Sequence, residues 1–428
     1  MINRNLTSST VLRLLIICIV IIVLNFTPAQ LSGPFIIITG FLIMILSKIQ
    51  QSYFKLILPL VLIVITGLAG AHNHEYWNIF RDISYALSPI TIIYLGYWVA
   101  LDKQIMPMFL KLFMILGVIL ACYHLSEFIL NPALIYEDSM TIRSIAGNSK
   151  SSDLIILSAI LYLLQHQLRI RNFIPKFLPR FVALPILATS VVLSFSRTEL
   201  LIGFILFSSL LDLFTRINPR MIVSVAIVII IYISLALILP KSEDGTFQSK
   251  IFRSAEEINI EDSYDNIDIN NNWRGFEANR ALETYKSGNS FEYLFGQGFG
   301  TLVDLNINIA LGGEGETTFS EVPIIHNGYM YILIKTGGVG LACYIFFYLK
   351  IILLSIRYKN THNHLHDFMG RLLLGCILSL ASIMYVVGGI AEMHGLELAL
   401  LSGFLFKQLK QAKTQQLSAI NIGKNNDQ

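Results

Sequence analysis

Twelve apolar runs, at roughly 11–27, 33–47, 56–71, 83–101, 107–130, 153–166, 181–195, 198–214, 221–239, 328–356, 369–390 and 394–407, constrain this chain more than any other feature. They are too many, and the charges between them too few, for a water-soluble core. Hydrophobic residues make up 54% of the 428, charged residues 14%, and mean hydropathy is +0.64. That balance lies outside ordinary soluble domains. A backbone that crosses lipid must satisfy its own hydrogen bonds, and a helix does so within one segment. The sequence therefore predicts an all-α, polytopic integral membrane protein with about 12 transmembrane helices. Several runs fall short of the ~20 residues that span a bilayer unaided, so one or two could be re-entrant.

Basic residues give the orientation. Lys48 and Lys55, Lys103, the group Arg169, Arg171, Lys176 and Arg180, then Arg216 and Arg220, Arg357 and Lys359, and Lys407, Lys410 and Lys413 occupy alternate loops or the C-terminal end. Placed inside, they put both termini in the cytoplasm and residues 240–325 outside. The expected organisation is about nine helices in 1–239, an extracytoplasmic loop with short helices in 240–325, about three helices in 326–413, and a cytoplasmic tail in 414–428. Arg4 precedes the first run, which carries Arg13 near its start, lacks a small-residue cleavage site and reads as a first transmembrane helix. Cys18, Cys122, Cys343 and Cys376 all fall in apolar runs, so no disulfide framework or thiolate metal site is suggested.

The long outer segment has its own composition. It carries 15 Asp or Glu against six Lys or Arg, a balance of −9 that leaves +12 for the rest of a chain whose net is +3. The stretch IEDSYDNIDINNN reads as a solvated surface loop. It is not a calcium loop, since from a start at Asp268 it places Trp273 where an EF-hand needs Gly and Asn279 where it needs Glu. WRGFEANRALETYKSG suits a short amphipathic helix ended by Gly288. In the following FEYLFGQGFGTLVDL, Gly296, Gly298 and Gly300 impose a turn, either to let backbone approach a ligand or to let a loop pack on the membrane helices. No βαβ unit surrounds it, which excludes a dinucleotide fingerprint.

Directly after this segment, IIHNGYMYILIKTGGVGL carries a histidine into an apolar helix. His326 there is either part of a helix start capped by Asn327 or a group that binds or moves a proton. The junction SFSRTEL holds Arg197 at the predicted outer membrane edge, where a guanidinium needs water, an anionic ligand or a carboxylate such as Glu199. Glu392, His394 and Glu397 lie close in sequence, with His394 and Glu397 spaced for one helix face, but no further metal ligands are nominated. The same holds for HNHE at His72 to Glu75, and THNHLH at Thr361 to His366 reads as a solvated cytoplasmic loop.

A dozen helices, the SR pair, a long outer loop with an Arg-bearing segment and LFGQGFG, then HNGY leading into LIKTGGVGL resemble the O-antigen polymerase and O-antigen ligase superfamily. By motif the resemblance rests on Arg197 with its neighbours and on Trp273 to Leu341. It implies a membrane glycosyltransferase of the GT-C kind in the bacterial cytoplasmic (inner) membrane. Such an enzyme takes a glycan from undecaprenyl diphosphate and passes it to an acceptor hydroxyl. Arg197 and Arg274 match the family's diphosphate-binding arginines, with Arg280 the alternative to Arg274; His326 matches its catalytic base. Asn327 would orient His326, Tyr329 would stack on sugar, and Lys335 would meet anionic lipid or snorkel to the interface. The expected reaction inverts the anomeric centre and uses no metal and no cofactor, because arginines supply the positive charge. Expected partners are the lipid-linked oligosaccharide, an acceptor glycan, membrane lipids and a chain-length regulator, with no nucleic acid. A polymerase is the leading expectation and a ligase the nearest alternative. A lipid-linked oligosaccharide flippase is the alternative of another class, disfavoured because no similarity between the two halves is detectable.

Overall fold

The computed structural model describes residues 8–47, 49–102, 105–136, 152–194, 196–213, 272–310, 318–359, 363–392 and 394–426. The predicted span at 221–239, the acidic stretch IEDSYDNIDINNN except its last residue Asn272, and the start of the rejected calcium loop lie outside these. In chain order the helices are α1 (Ser8–Phe26), α2 (Ala29–Ser47), α3 (Gln51–Ala69), α4 (Tyr76–Val99), α5 (Met106–Leu130), α6 (Ser152–Leu164), α7 (Arg180–Leu193) and α8 (Arg197–Leu210). Next come α9 (Trp273–Lys286), α10 (Ser290–Phe295), strands β1 (Val303–Ala310) and β2 (Thr318–Val322), α11 (Gly328–Lys359), α12 (His364–Val387) and α13 (Leu396–Asn426). Every apolar run that falls on described residues is helical.

By length and composition, α1, α3, α5, α11 and α12 are long and apolar enough to cross a membrane. Leu31–Ser47, Asp153–Leu164 and Arg180–Leu193 are apolar but shorter. The described residues thus give a helical membrane protein with five full-length candidate spans, fewer than the dozen expected. Part of the shortfall is polarity: α4 is 24 residues long but carries Arg81 and Asp82 in its second turn. Beyond its apolar run α13 stays helical to Asn426, where the sequence predicts a tail.

The centre of the bundle is the crossing of α4 and α13. Residues Leu398 to Leu405 of α13 and Ile92 to Tyr97 of α4 are almost wholly buried. Two glycines allow the approach, because a side chain at Gly96 would meet the Leu400 carbonyl and one at Gly403 the Ile93 carbonyl. Helices in lipid gain by such contact, since lipid is as apolar as their side chains and only close packing favours a partner. Around this pair, α2 and α3 lie against α4, α11 packs on α3 and α12, and α12 also packs on α8 and α13.

The stretch between α8 and α11 departs from the all-α expectation in one place. β1 and β2 form an antiparallel pair, with Val303 opposite Val322 and Ala310 opposite Thr318. The run VDLNINIA alternates apolar and polar residues, the two-residue period of a half-buried strand. Val303 and Leu305 are buried while Asp304 and Asn306 are exposed, as that period requires. Between helices α9 and α10, Asn289 builds a capping box with Glu292. The predicted amphipathic helix is α9, capped by Asn272 and ended at Ser287, just before Gly288.

Candidate functional site

α9 lies against α11 and β1, and its first turns face the residues that lead into α11. Glu277 and Trp273 stand four residues apart, so they share a helix face. The Trp273 indole donates to Glu277 Oε1 at 2.7 Å. On the other oxygen, Oε2, the carboxylate receives the backbone N–H of His326 at 3.0 Å and lies 2.7 Å from His326 Nδ1. The Glu277 side chain is 5% exposed and that of His326 48%. A carboxylate is acceptor only, so Nδ1 carries the proton in this pair and Nε2 keeps the lone pair. The result is a histidine fixed from behind by a buried acid, with its other nitrogen on the open side. That arrangement suits a general base, whose protonated form the carboxylate then stabilises.

Asn327 does not orient His326. Its Oδ1 accepts the backbone N–H groups of Tyr329 at 3.1 Å and Met330 at 3.3 Å, capping α11. Orientation falls to Glu277, which sequence reasoning missed because 49 residues separate it from His326. The Trp273/Glu277 spacing was the available signal. Tyr329 donates its hydroxyl to the Ala381 carbonyl at 2.9 Å and meets Tyr344 edge to face, so it binds α11 to α12.

Lys335 faces neither lipid nor solvent. It is 2% exposed and pairs with Asp82 of α4, which is wholly buried. Its ammonium also donates to the Pro323 carbonyl at 3.1 Å and lies 4.5 Å over the Tyr331 ring. Asp82 further accepts from the Tyr331 hydroxyl at 2.8 Å and the Gly300 backbone N–H at 2.7 Å, with Arg81 at 3.4 Å. A buried ammonium needs both charge and hydrogen-bond partners, and this set supplies them. The Pro323 contact ties the charge pair to the chain three residues before His326.

The glycine-rich loop packs on the helices. Gly296, Gly298 and Gly300 all have positive φ, at 82°, 97° and 97°. A side chain at Gly298 would strike the Gly70 backbone, and one at Gly296 the backbone of Lys335 and Thr336. Gln297 and Gly298 donate to the Ile334 and Lys335 carbonyls at 2.8 and 3.2 Å, and Phe299 to that of Gly67 at 2.7 Å. His74, from the HNHE motif, contacts the Gln297 carbonyl at 2.9 Å and the Thr301 hydroxyl at 3.1 Å. Its motif is thus part of the loop's seat.

The arginines divide. Arg280 donates to the Asp304 carbonyl at 3.0 Å and pairs with Glu283, which commits it to joining α9 and β1. Arg274 is half-buried in the first turn of α9, three residues from Glu277. Arg197 opens α8, half-buried, behind the Ser196 cap; α8 packs against α6 and α12. Two residues on, Glu199 is buried and near enough to Asp153 to repel its charge, as is Glu397. His394 and Glu397 do not share a helix face, because Gly395 at φ 74° separates His394 from the start of α13. Asn25 donates to Glu397 at 3.2 Å. The part of THNHLH that is described caps and opens α12, with Asn363 Oδ1 accepting from the Leu365 and His366 backbones. Among the described residues no group of three or more His, Cys, Asp or Glu is placed to hold a metal ion.

Residues 181–345 match the family model described as O-Antigen ligase. Over that stretch the chain is similar to the O-antigen ligase family. The match and the sequence motifs point to one superfamily of ligases and polymerases, and they support, in general terms, a membrane enzyme of polysaccharide biosynthesis. The matched stretch contains Arg197, Arg274, Glu277, Arg280, His326, Asn327, Tyr329 and Lys335, whereas Asp82 lies outside it. No curated protein and no solved structure matches the chain.

Proposed function

We propose that this protein is a polysaccharide polymerase that transfers undecaprenyl-diphosphate-linked repeat units to an acceptor glycan at the outer face of the bacterial cytoplasmic membrane. The observation that carries the reading is the buried Glu277 behind a half-exposed His326, inside the matched domain. In the reaction an acceptor hydroxyl gives its proton to His326 Nε2 while its oxygen attacks the anomeric carbon. The bond from that carbon to the diphosphate oxygen breaks on the opposite face, which inverts the centre. Glu277 stabilises the imidazolium that forms. Arg197 and Arg274 meet the charge that grows on the leaving diphosphate, an interaction stronger in the transition state than in the ground state. Arg280 has the weaker claim, because its guanidinium already holds Asp304 and Glu283.

A second reading, ligation of finished glycan to lipid A core or another final acceptor, is favoured by the description of the matched family. It uses the same donor and the same base. The deciding experiment is the profile of glycans and lipid intermediates in cells that lack the protein, complemented with the wild type or with His326→Ala. A single repeat unit on the final acceptor supports the polymerase. Polymer accumulating on undecaprenyl diphosphate supports the ligase. Single units held in the cytoplasmic leaflet would make the protein a flippase, and an unchanged profile would overturn both transferase readings.

A further inference from the structure

The end of the bundle away from His326 holds a cavity of about 330 Å³. It is lined by Gln51, Ser52 and Lys55 of α3, Lys350 of α11 and Lys410 of α13, with apolar neighbours. Lys350 stands 22 residues into α11, roughly 33 Å from its first turn at 1.5 Å per residue. Three ammonium groups from three helices thus converge on one space, and none of the residues lining it is acidic. Lys55 and Lys410 lie near enough to Lys350 to repel its charge.

Lys350 and Lys410 each have a neighbour that places them. Lys350 donates to the Lys55 carbonyl, which fixes α11 to the start of α3. Lys410 lies 5.8 Å over the Phe406 ring, and Phe406 is itself part of the lining. Beside the cavity, Lys407 donates to Gln50 at 2.6 Å and lies 5.0 Å over Tyr97, while Ser52 and Tyr97 share a hydroxyl contact of 2.6 Å. A fourth cation therefore adds to the positive field of this end. Like charges gathered on a partly enclosed surface raise its free energy, and an anion that enters relieves the repulsion. The first turn of α3 opens onto the same space, so its dipole adds the same sign.

We propose that the cavity of Lys55, Lys350 and Lys410 is a binding site for a phosphate-bearing anion, separate from the glycan-transfer site. Its shape admits either the headgroup of an anionic lipid or a free phosphate. The inference rests on the lysine geometry alone and stands whichever transferase reading holds.

The test uses the full-length protein. One arm counts phosphatidylglycerol retained by native mass spectrometry after reconstitution in phosphatidylcholine nanodiscs with and without phosphatidylglycerol. The other follows thermal unfolding in detergent as inorganic phosphate replaces chloride at constant ionic strength. Wild type is compared with Lys350→Gln/Lys410→Gln, with Lys55→Gln, and with Lys286→Gln, at an exposed position of α9, as a charge control. Each lysine removed from the cavity is expected to weaken the anion about fivefold, and Lys286→Gln to change nothing. Loss confined to the lipid arm identifies a headgroup, and loss confined to the phosphate arm a free anion. Loss in both arms supports the site for either source. Equal binding by wild type and the cavity variants in both arms overturns the proposal. Should the double variant not fold, Lys55→Gln alone carries the comparison.

Discussion

Glu277 Oε2 lies 2.7 Å from His326 Nδ1 and also takes that residue's backbone N–H, so one buried oxygen fixes both the ring and the main chain of the exposed histidine. A residue of α9 thereby sets the tautomer of the histidine that leads into α11. Glu277→Gln keeps the shape but supplies an amide that can present N–H to Nδ1 and select the wrong tautomer. Glycan transfer by purified protein on a lipid-linked donor is expected to fall about 10²–10⁴-fold, with unchanged membrane insertion. Trp273→Phe removes only the donor to Oε1 and is expected to cost about tenfold. Wild-type rates in Glu277→Gln would mean that His326 acts without a buried acid, or not at all.

His326→Ala is expected to leave the protein folded and inserted but without activity. Its side chain is half-exposed and its removal opens no core cavity. Unfolding temperature and transfer rate measured on one preparation separate the two effects. Normal glycan length in cells carrying this variant would remove His326 from the chemistry.

The arginines should separate by role. Arg274→Ala and Arg197→Ala are expected to depress donor turnover at least about 10²-fold, the scale of one lost electrostatic donor in a transition state. Arg197→Lys should retain more activity than Arg197→Ala, because charge without the planar fork still meets a diphosphate. Arg280→Ala should instead loosen the join between α9 and β1, lowering stability before turnover. Equal activity of Arg197→Ala, Arg197→Lys and wild type would leave Arg197 a partner for nearby carboxylates only.

Asp82 and Lys335 give a stability test independent of substrate. Asp82→Ala strands a buried ammonium, at a cost of about 3–5 kcal/mol. The double variant Asp82→Ala/Lys335→Met removes both charges and should recover a large part of that loss. Denaturation of the detergent-solubilised protein measures the cycle. Additive losses would show that the two side chains do not depend on each other.

What the sequence disclosed follows from the range of each interaction. The apolar runs, the helix at Trp273 to Lys286 and the prominence of His326 depend on neighbours within a few residues, and they were legible. The capping roles of Asn327 and Asn289 are equally local. Glu277 behind His326 and Asp82 beneath Lys335 join residues 49 and 253 positions apart, which no periodicity encodes. Lys335 was misplaced for that reason, since a lysine in an apolar helix reads as snorkelling until its carboxylate is found on another helix. The strand at Val303 to Ala310 was legible in its alternation but overshadowed by the helices around it.

The paired glycines of KTGGVG make the last test, because adjacent positions should respond in opposite ways. Gly337 has φ 66° and interrupts α11, and a side chain there would strike the Leu294 carbonyl and the Gly296 backbone. The backbone at Gly337, φ 66° and ψ −171°, lies in a region that essentially only glycine occupies and costs an L-residue about 1–3 kcal/mol, and the clash adds to it by pushing α10 and the glycine loop off the helix. Gly337→Ala is therefore expected to destabilise the protein by more than that backbone cost and to lower activity through the displaced loop. At Gly338 a Cβ would meet only the Tyr293 carbonyl at 3.5 Å, an ordinary contact. Gly338→Ala also gains helix propensity worth up to about 1 kcal/mol, so it should be neutral or stabilising. Thermal unfolding of the two variants side by side checks the pair. Equal behaviour would mean that the break in α11 does not depend on Gly337 and that the loop finds its seat by other means.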